Sequence, residues 1–112
     1  MTALRHYIIG NNIHFIKINT PLNGSHAAEV ELVLRQLARR GARRIVINLE
    51  DVPFIDGRGL AALVNGLKLL GCNADCLQLV SPQAQPRLLF ALTGYDRIFQ
   101  ISHHPEAMPL AA

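Results

Sequence analysis

A run of β-branched residues at positions 44–49, Arg-Ile-Val-Ile-Asn-Leu, limits the folds open to this chain. Such a compact run is typical of a strand that is covered on both faces, as in a parallel sheet. Apolar residues spaced by three and four, which favour amphipathic helices, lie on either side of it. The stripe before the strand consists of Ala27, Val30, Val33, Leu34, Leu37 and Ala38, and the stripe after it of Leu60, Leu63, Val64, Leu67 and Leu70. A buried strand that is preceded and followed by helices in the sequence predicts an α/β fold.

Four further short strands are predicted at the two ends of the chain. Tyr7–Ile9 and Ile13–Ile18 flank Gly-Asn-Asn at 10–12, and these residues tolerate positive φ, which favours an antiparallel hairpin. Cys76–Val80 and Ile98–Ile101 are short apolar runs that are also interpreted as strands.

A third helix is predicted between these last two strands. Ser81 followed by Pro82 suits the start of a helix, and Gly94 suits its end after Thr93. Its inward-facing residues are predicted to be Leu88, Leu89 and Leu92.

Capping chemistry predicts the ends of the first two helices. Ser25 is expected to cap the first helix and Asp56 the second, because their oxygens can accept from unpaired N–H groups. Gly41 and Gly71 are placed to end them. The order ββαβαβαβ predicts a mixed sheet of four or five strands with helices mainly on one face.

Composition and charge exclude several classes of protein. Half of the 112 residues are hydrophobic and 17% are charged, which excludes an intrinsically disordered chain. Only 5% are aromatic and the net charge is +3, so a nucleic-acid-binding surface is not expected. No signal peptide is evident, and the longest apolar stretch, Leu60–Leu70, falls short of the ~20 residues that span a bilayer. With two cysteines, a reducing, cytoplasmic location is expected.

Three segments, in the right order, resemble the STAS domain of bacterial anti-sigma-factor antagonists. Arg44–Asp56 is similar to that family's strand-to-helix segment, and Gly59–Leu63 to the opening of its second helix. Leu92–Phe99 is similar to its Leu-Thr-Gly stretch before the last strand. The resemblance covers nearly the whole chain and implies a single STAS domain over residues 1–112. It also implies a regulatory module that docks to a protein partner and is not an enzyme.

The turn before the second helix departs from the family pattern. Antagonists of this family typically carry Asp-Ser-Ser-Gly there, and the partner kinase phosphorylates the second serine. Here the turn is Asp56-Gly57-Arg58-Gly59, so Arg58 takes the place of that serine and no phosphorylation site is expected at this position. Arg58 either reaches an acidic group of a partner or is a solvated side chain, and the sequence leaves both interpretations open.

The partner-binding surface is expected at this turn and on the helix that follows. The turn could instead be a helix cap and nothing more, because a carboxylate suits any helix N-terminus. Small residues and glycines would let another chain approach closely. The predicted surface consists of the turn residues Asp56, Gly57, Arg58 and Gly59, the helix residues Ala61, Ala62 and Asn65, and the neighbouring loop residues Asn23, Gly24 and Ser25.

The resemblance implies an anti-sigma factor or serine-kinase-like protein as the partner. The alternatives are a STAS subunit of a phospholipid-transport ABC ATPase and a module that senses a small ligand or nucleotide. No cofactor, nucleic acid or membrane insertion is expected, and a homodimer is compatible with the sequence.

Other candidate sites carry less weight. Cys72 and Cys76 have three residues between them instead of the two typical of zinc knuckles, so free thiols are expected. His103 and His104 have no identifiable further metal ligands. Neither a nucleophile–base set nor a phosphate-binding loop is evident, and no enzymatic activity is predicted. A basic cluster at the end of the first helix, expected to be solvated, consists of Arg39, Arg40, Arg43 and Arg44.

Overall fold

A computed structural model describes residues 4–9, 13–71 and 76–102. Within these residues the fold comprises five strands and three helices. The strands are β1 (Leu4–Ile9), β2 (Ile13–Ile18), β3 (Arg44–Asn48), β4 (Leu77–Val80) and β5 (Gln100–Ser102). The helices are α1 (Gly24–Arg39), α2 (Gly57–Leu69) and α3 (Ala84–Thr93), and a 3-10 turn, Tyr95–Arg97, follows α3.

The strands form one mixed sheet in the order β1-β2-β3-β4-β5. β1 and β2 pair antiparallel, with Leu4 opposite Ile18 and Ile9 opposite Ile13, whereas β2, β3, β4 and β5 are parallel. The predicted hairpin is therefore confirmed, and its 10–12 connection lies outside the described residues. Each parallel crossover steps to the next strand in the same direction, so right-handed connections put all three helices on one face. The predicted fold class is confirmed.

The main core lies between the sheet and the helices. Gly66 of α2 lies directly against Leu34 of α1, which lets the two helices approach closely. Phe90 of α3 is fully buried and packs against Phe99 with ring centroids 5.9 Å apart. On the opposite face of the sheet, a smaller buried cluster forms from Phe15, Val46 and Val80. The large residues that fill the helix side with no exposed surface include Ile16, Ile18, Leu34, Ile45, Ile47, Leu63, Leu77 and Leu79.

Four capping predictions are confirmed and two are wrong. Asp56 is the N-cap of α2. Gly41, Gly71 and Gly94 follow α1, α2 and α3 with φ of +81°, +98° and +80°. The N-cap of α1 is Asn23, so Ser25 lies inside the helix. Ser81 has a φ of +56°, which is incompatible with the extended backbone of an N-cap residue, and α3 starts three residues later at Ala84.

The inward face of α3 also differs from the prediction. Leu89 is partly buried and packs against the core as predicted. Leu88 and Leu92 are 58% and 76% exposed, and Pro86 and Phe90 are buried in their place. Several adjacent positions of this helix are apolar, so the three-and-four spacing alone does not identify the buried stripe. The last strand is likewise shifted, since Ile98 precedes it and is 46% exposed.

Candidate functional site

Two loops join at the carboxyl ends of β2 and β3, beside the start of α2. Leu22, which follows β2, forms a parallel bridge with Ile55, which follows β3. The Leu22 N–H donates to the Phe54 carbonyl oxygen at 2.9 Å, and the Asp56 N–H donates to the Leu22 carbonyl oxygen at 3.3 Å. The loop before α1 and the turn before α2 are therefore one hydrogen-bonded unit.

The start of α3, at this same edge of the sheet, supports the turn. The Ile55 N–H donates to Gln85 Oε1 at 2.8 Å, and Gln85 Nε2 donates to the Ile55 carbonyl oxygen at 3.0 Å. Gln83 Nε2 donates to the Glu50 carbonyl oxygen at 2.7 Å. Both polar backbone groups of Ile55 are thus bonded to the Gln85 amide, and its neighbours Phe54 and Asp56 bond to Leu22 on the other side.

Asp56 and Gly59 fix the start of α2. Asp56 Oδ1 accepts from the Gly59 N–H at 2.9 Å, and the Asp56 carbonyl oxygen accepts from the Leu60 N–H at 2.9 Å. Gly59 is buried, and a Cβ atom there would meet the Leu22 carbonyl oxygen. Gly59 thus serves the internal packing of the turn, and the residues it leaves on the surface are Gly57 and Arg58.

A shallow depression between α1 and α2 adjoins the turn. It is lined by Gly24, Ala27, Ala28, Glu31, Arg58 and Ala61 and has a volume of about 220 Å³. Binding sites for drug-sized ligands are usually about 300–1,000 Å³ and strongly concave. This depression has room for one or two side chains of another protein.

Most of the residues predicted for the site are close together. Gly24, Arg58 and Ala61 line the depression, and Asn65 lies one turn further along α2, where its Nδ2 donates to Glu31 Oε1 at 3.4 Å. Ser25 is exposed in the first turn of α1, two residues after the N-cap Asn23.

Ala62 does not belong to this surface. It is only 1% exposed and packs in the main core, so its prediction as an outward-facing residue is wrong. Its neighbour Ala61 faces outward, because successive residues of a helix are rotated by about 100°.

Sequence reasoning missed two features of the site. Phe54 is 44% exposed in the loop directly before the turn, and an exposed aromatic residue is a common anchor of protein interfaces. Its position next to Pro53, in a segment with no helical or strand pattern, was the available signal. Glu31 lines the depression and pairs with Arg35 at 3.0 Å, which partly neutralises its charge.

A charged cluster lies on the same edge of the sheet. Lys17 Nζ is 3.0 Å from Glu50 Oε1 and 3.4 Å from Asp51 Oδ2. The hydrogen bond to Glu50 raises the pKa of Lys17 above its ordinary value of 10.5, against a lowering by desolvation. At neutral pH Lys17 is thus positively charged and paired with Glu50 and Asp51.

The other candidate residues from the sequence do not lie at this site. Arg39, Arg40 and Arg43 are exposed at the far end of α1, and Arg44 Nη2 donates to Gln78 Oε1 at 2.7 Å on the sheet. Cys76 is a partly buried free thiol, whereas Cys72, His103 and His104 lie outside the described residues. Within residues 4–9, 13–71 and 76–102, no group of His, Cys, Asp and Glu could hold a metal ion. No helix in the same ranges is long and apolar enough to cross a bilayer.

The sequence matches the STAS domain family over residues 8–108, which is most of its length. The chain belongs to the STAS domain family. It is 30% identical over 91 residues to the anti-sigma-B factor antagonist of Staphylococcus aureus strain NCTC 8325, an alignment that covers 81% of this chain and 84% of that protein.

Solved structures agree with this assignment. A Thermotoga maritima protein provisionally assigned as an anti-sigma factor antagonist superposes with a TM-score of 0.83 at 26% identity, covering 93% of this chain and 89% of that one. The phosphorylated form of the Bacillus cell fate determinant SpoIIAA superposes with a TM-score of 0.73 at 19% identity, covering 94% and 96%. At that identity the second likeness concerns the fold alone. The STAS domain described here is thus a relative of regulatory proteins.

Proposed function

We propose that this STAS domain is a regulatory module that binds an anti-sigma factor or a related serine-kinase-like protein. The binding surface consists of Asp56–Gly59, the exposed Phe54 and the depression between α1 and α2. The observation that carries the proposal is the exposed Arg58 in the first turn of α2, a turn whose start is fixed by the hydrogen bond between Asp56 and Gly59. Relatives described as anti-sigma factor antagonists support the class of partner.

The construction of the turn favours binding of a protein. The backbone of Ile55 is held on both sides, and Asp56 and Gly59 fix the first turn of α2. A surface that is already ordered loses little conformational entropy when a partner binds, so more of the contact energy appears as affinity.

The chemistry of the depression indicates what the partner presents. Exposed Ala28 and Ala61 allow close approach of an apolar side chain, and Arg58 places a positive charge beside it. Glu31 already pairs with Arg35 and accepts from Asn65. The matching partner surface is an apolar residue next to a carboxylate, which Arg58 can bind bidentately.

The substitution at the phosphorylation position has a regulatory consequence. Neither Gly57 nor Arg58 has a hydroxyl group, so a kinase partner cannot switch this turn off by phosphorylating it there. We infer that the domain stays competent to bind its partner regardless of kinase activity at this turn.

Calorimetry with a purified anti-sigma kinase from the same genome tests the proposal. Ala61→Arg fills the depression and should lower affinity by at least about tenfold, as expected for a blocked interface centre. Gln100→Arg, exposed on the edge strand β5, adds the same side chain elsewhere and should leave affinity unchanged. Equal losses in both variants, or no binding by the wild type, would refute the proposal. Binding instead to the ATPase subunit of a phospholipid transporter would favour the alternative function.

A further inference from the structure

The sheet face opposite the three helices is buried, although no described helix lies on it. Phe15, Val46 and Val80, here called the open-face cluster, point to this face, because side chains alternate along a strand and their chain neighbours fill the helix side. They are 4%, 3% and 0% exposed. Neighbouring side chains on a sheet face shield only each other's flanks, so burial this complete requires a further segment of chain above them. The burial exists in a single copy, so the covering segment belongs to the same chain.

Two polar side chains on the same face are also shielded from water. Gln78 is 9% exposed, and Arg44 Nη2 donates to Gln78 Oε1 at 2.7 Å. The Arg44 Nε atom is buried and has no acceptor among the described residues. A buried guanidinium N–H without an acceptor is unfavourable, so an oxygen from elsewhere in the chain is expected beside it.

We propose that residues 103–112 lie across this face and cover the open-face cluster. Met108 packs against the cluster, and the Glu106 carboxylate accepts from the Arg44 Nε–H. The segment combines apolar residues with one acidic residue, which matches an apolar surface that has an arginine within it. This face is separate from the turn at 56–59, so the inference does not depend on the proposed partner binding.

The segment begins at the edge of the cluster and is long enough to cross it. Ser102, which precedes it, pairs with Val80 in the sheet. Phe15 is three strands from β5 and two residues back along the sheet, and thus about 16 Å from Ser102 at ~4.8 Å per strand and ~3.3 Å per residue. Six residues of extended chain span up to about 20 Å, so Met108 can reach Phe15.

The other segments outside the described residues are poorly placed to cover Val80. Residues 10–12 connect β1 to the start of β2, at the opposite end of the parallel strands from Val80. Residues 72–75 are held on both sides by Gly71 and Cys76, before the start of β4. Residues 1–3 precede β1, three strands from β4, and three residues span at most about 10 Å against the ~14 Å of three strand spacings.

NMR of the full chain, labelled at the methionine methyl groups, tests the proposal. The chain has two methionines, Met1 and Met108. The Met108 methyl group should show nuclear Overhauser contacts to the Phe15 ring and an upfield shift caused by it. Phe15→Leu should remove that shift and leave the Met1 resonance unchanged. Absence of contacts to the open-face cluster, or contacts that disappear on dilution as expected for a cover from a second copy, would overturn the proposal.

Thermal melts give an independent test. Met108→Asp should lower the midpoint by at least about 5 °C, because it puts a charge into a buried apolar contact. Leu32→Asp, at a half-exposed position of α1, is the matched control and should give a smaller shift.

Removal of residues 103–112 should lower the midpoint and increase binding of an apolar dye, which reports exposed apolar surface. Equal shifts in the two aspartate variants, or a truncated chain with unchanged midpoint and dye binding, would overturn the proposal. If the truncated chain does not fold, the NMR contacts of the wild type decide the question.

Discussion

The carbonyl oxygen of Leu22 occupies the space that a side chain on Gly59 would need. The contact lies between two backbones, because Leu22 bridges Ile55 and Gly59 is in the first turn of α2. A flexible side chain could move away, but this carbonyl oxygen also accepts from the Asp56 N–H. The closeness of the two chain segments therefore depends on glycine at position 59.

Gly59→Ala is expected to lower the free energy of unfolding by about 1–3 kcal/mol, because the added methyl group forces the two segments apart. Gly57→Ala, two residues earlier in the same helix, is the control. A Cβ atom at 57 meets nothing within 4 Å, so that variant should be neutral or gain up to about 1 kcal/mol. Urea unfolding measures both, and equal effects would show that Gly59 is not tightly packed.

Leu63→Ala should destabilise the domain more than Gly59→Ala does. Leu63 has no exposed surface between α2 and the sheet, and truncation there should cost about 2–5 kcal/mol from lost burial and the cavity left behind. Leu69 of the same helix is 48% exposed, so Leu69→Ala should cost well under about 1 kcal/mol. Thermal or urea unfolding that ranked the two variants equally would contradict this arrangement of α2.

The fold was predictable because its signals are local and agree with one another. The β-branched run at 44–48 indicates a buried strand, and Asp56, Gly41 and Gly94 mark helix ends by backbone chemistry that depends on few neighbours. The predictions of Ser25 and Ser81 as N-caps were wrong, because a serine hydroxyl can accept a hydrogen bond at a helix start but does not determine where the helix starts. The chain uses Asn23 and Gln83 at the cap positions, without a side-chain hydrogen bond at either.

Predictions failed where several neighbouring residues are apolar. In α3 the sequence Leu88-Leu89-Phe90-Ala91-Leu92 allows more than one buried stripe, and the pairing of Phe90 with Phe99 decides between them. That contact joins residues on different elements, so no local pattern contains it. Ala62 was misplaced for a related reason, because alanine is equally suited to either face of α2.

The turn at 56–59 is expected to stay unphosphorylated. After incubation with the cognate kinase and ATP, mass spectrometry should find no phosphate between Ile55 and Leu60, because Gly57 and Arg58 offer no hydroxyl group. Arg58→Ser restores an acceptor on the same exposed first turn and serves as the positive control. Phosphate on Ser25 or Ser81 of the wild type would mean that the regulatory phosphorylation site lies elsewhere. The inference that the domain always stays competent to bind its partner would then be wrong.

Arg58 is expected to contribute to binding through its charge. Arg58→Glu should weaken partner affinity far more than Arg58→Ser, because the reversal removes an attraction and also places like charges together, which can cost several kcal/mol. The effect on the stability of the isolated domain has the opposite sign. Arg58→Glu should be slightly stabilising, because a carboxylate suits the positive end of the α2 dipole. Calorimetry and thermal melts measure the two effects separately, with Arg39→Glu at the exposed far end of α1 as the charge-matched control for binding. If neither Arg58 variant changes affinity, the arginine is a solvated bystander and the partner surface lies elsewhere.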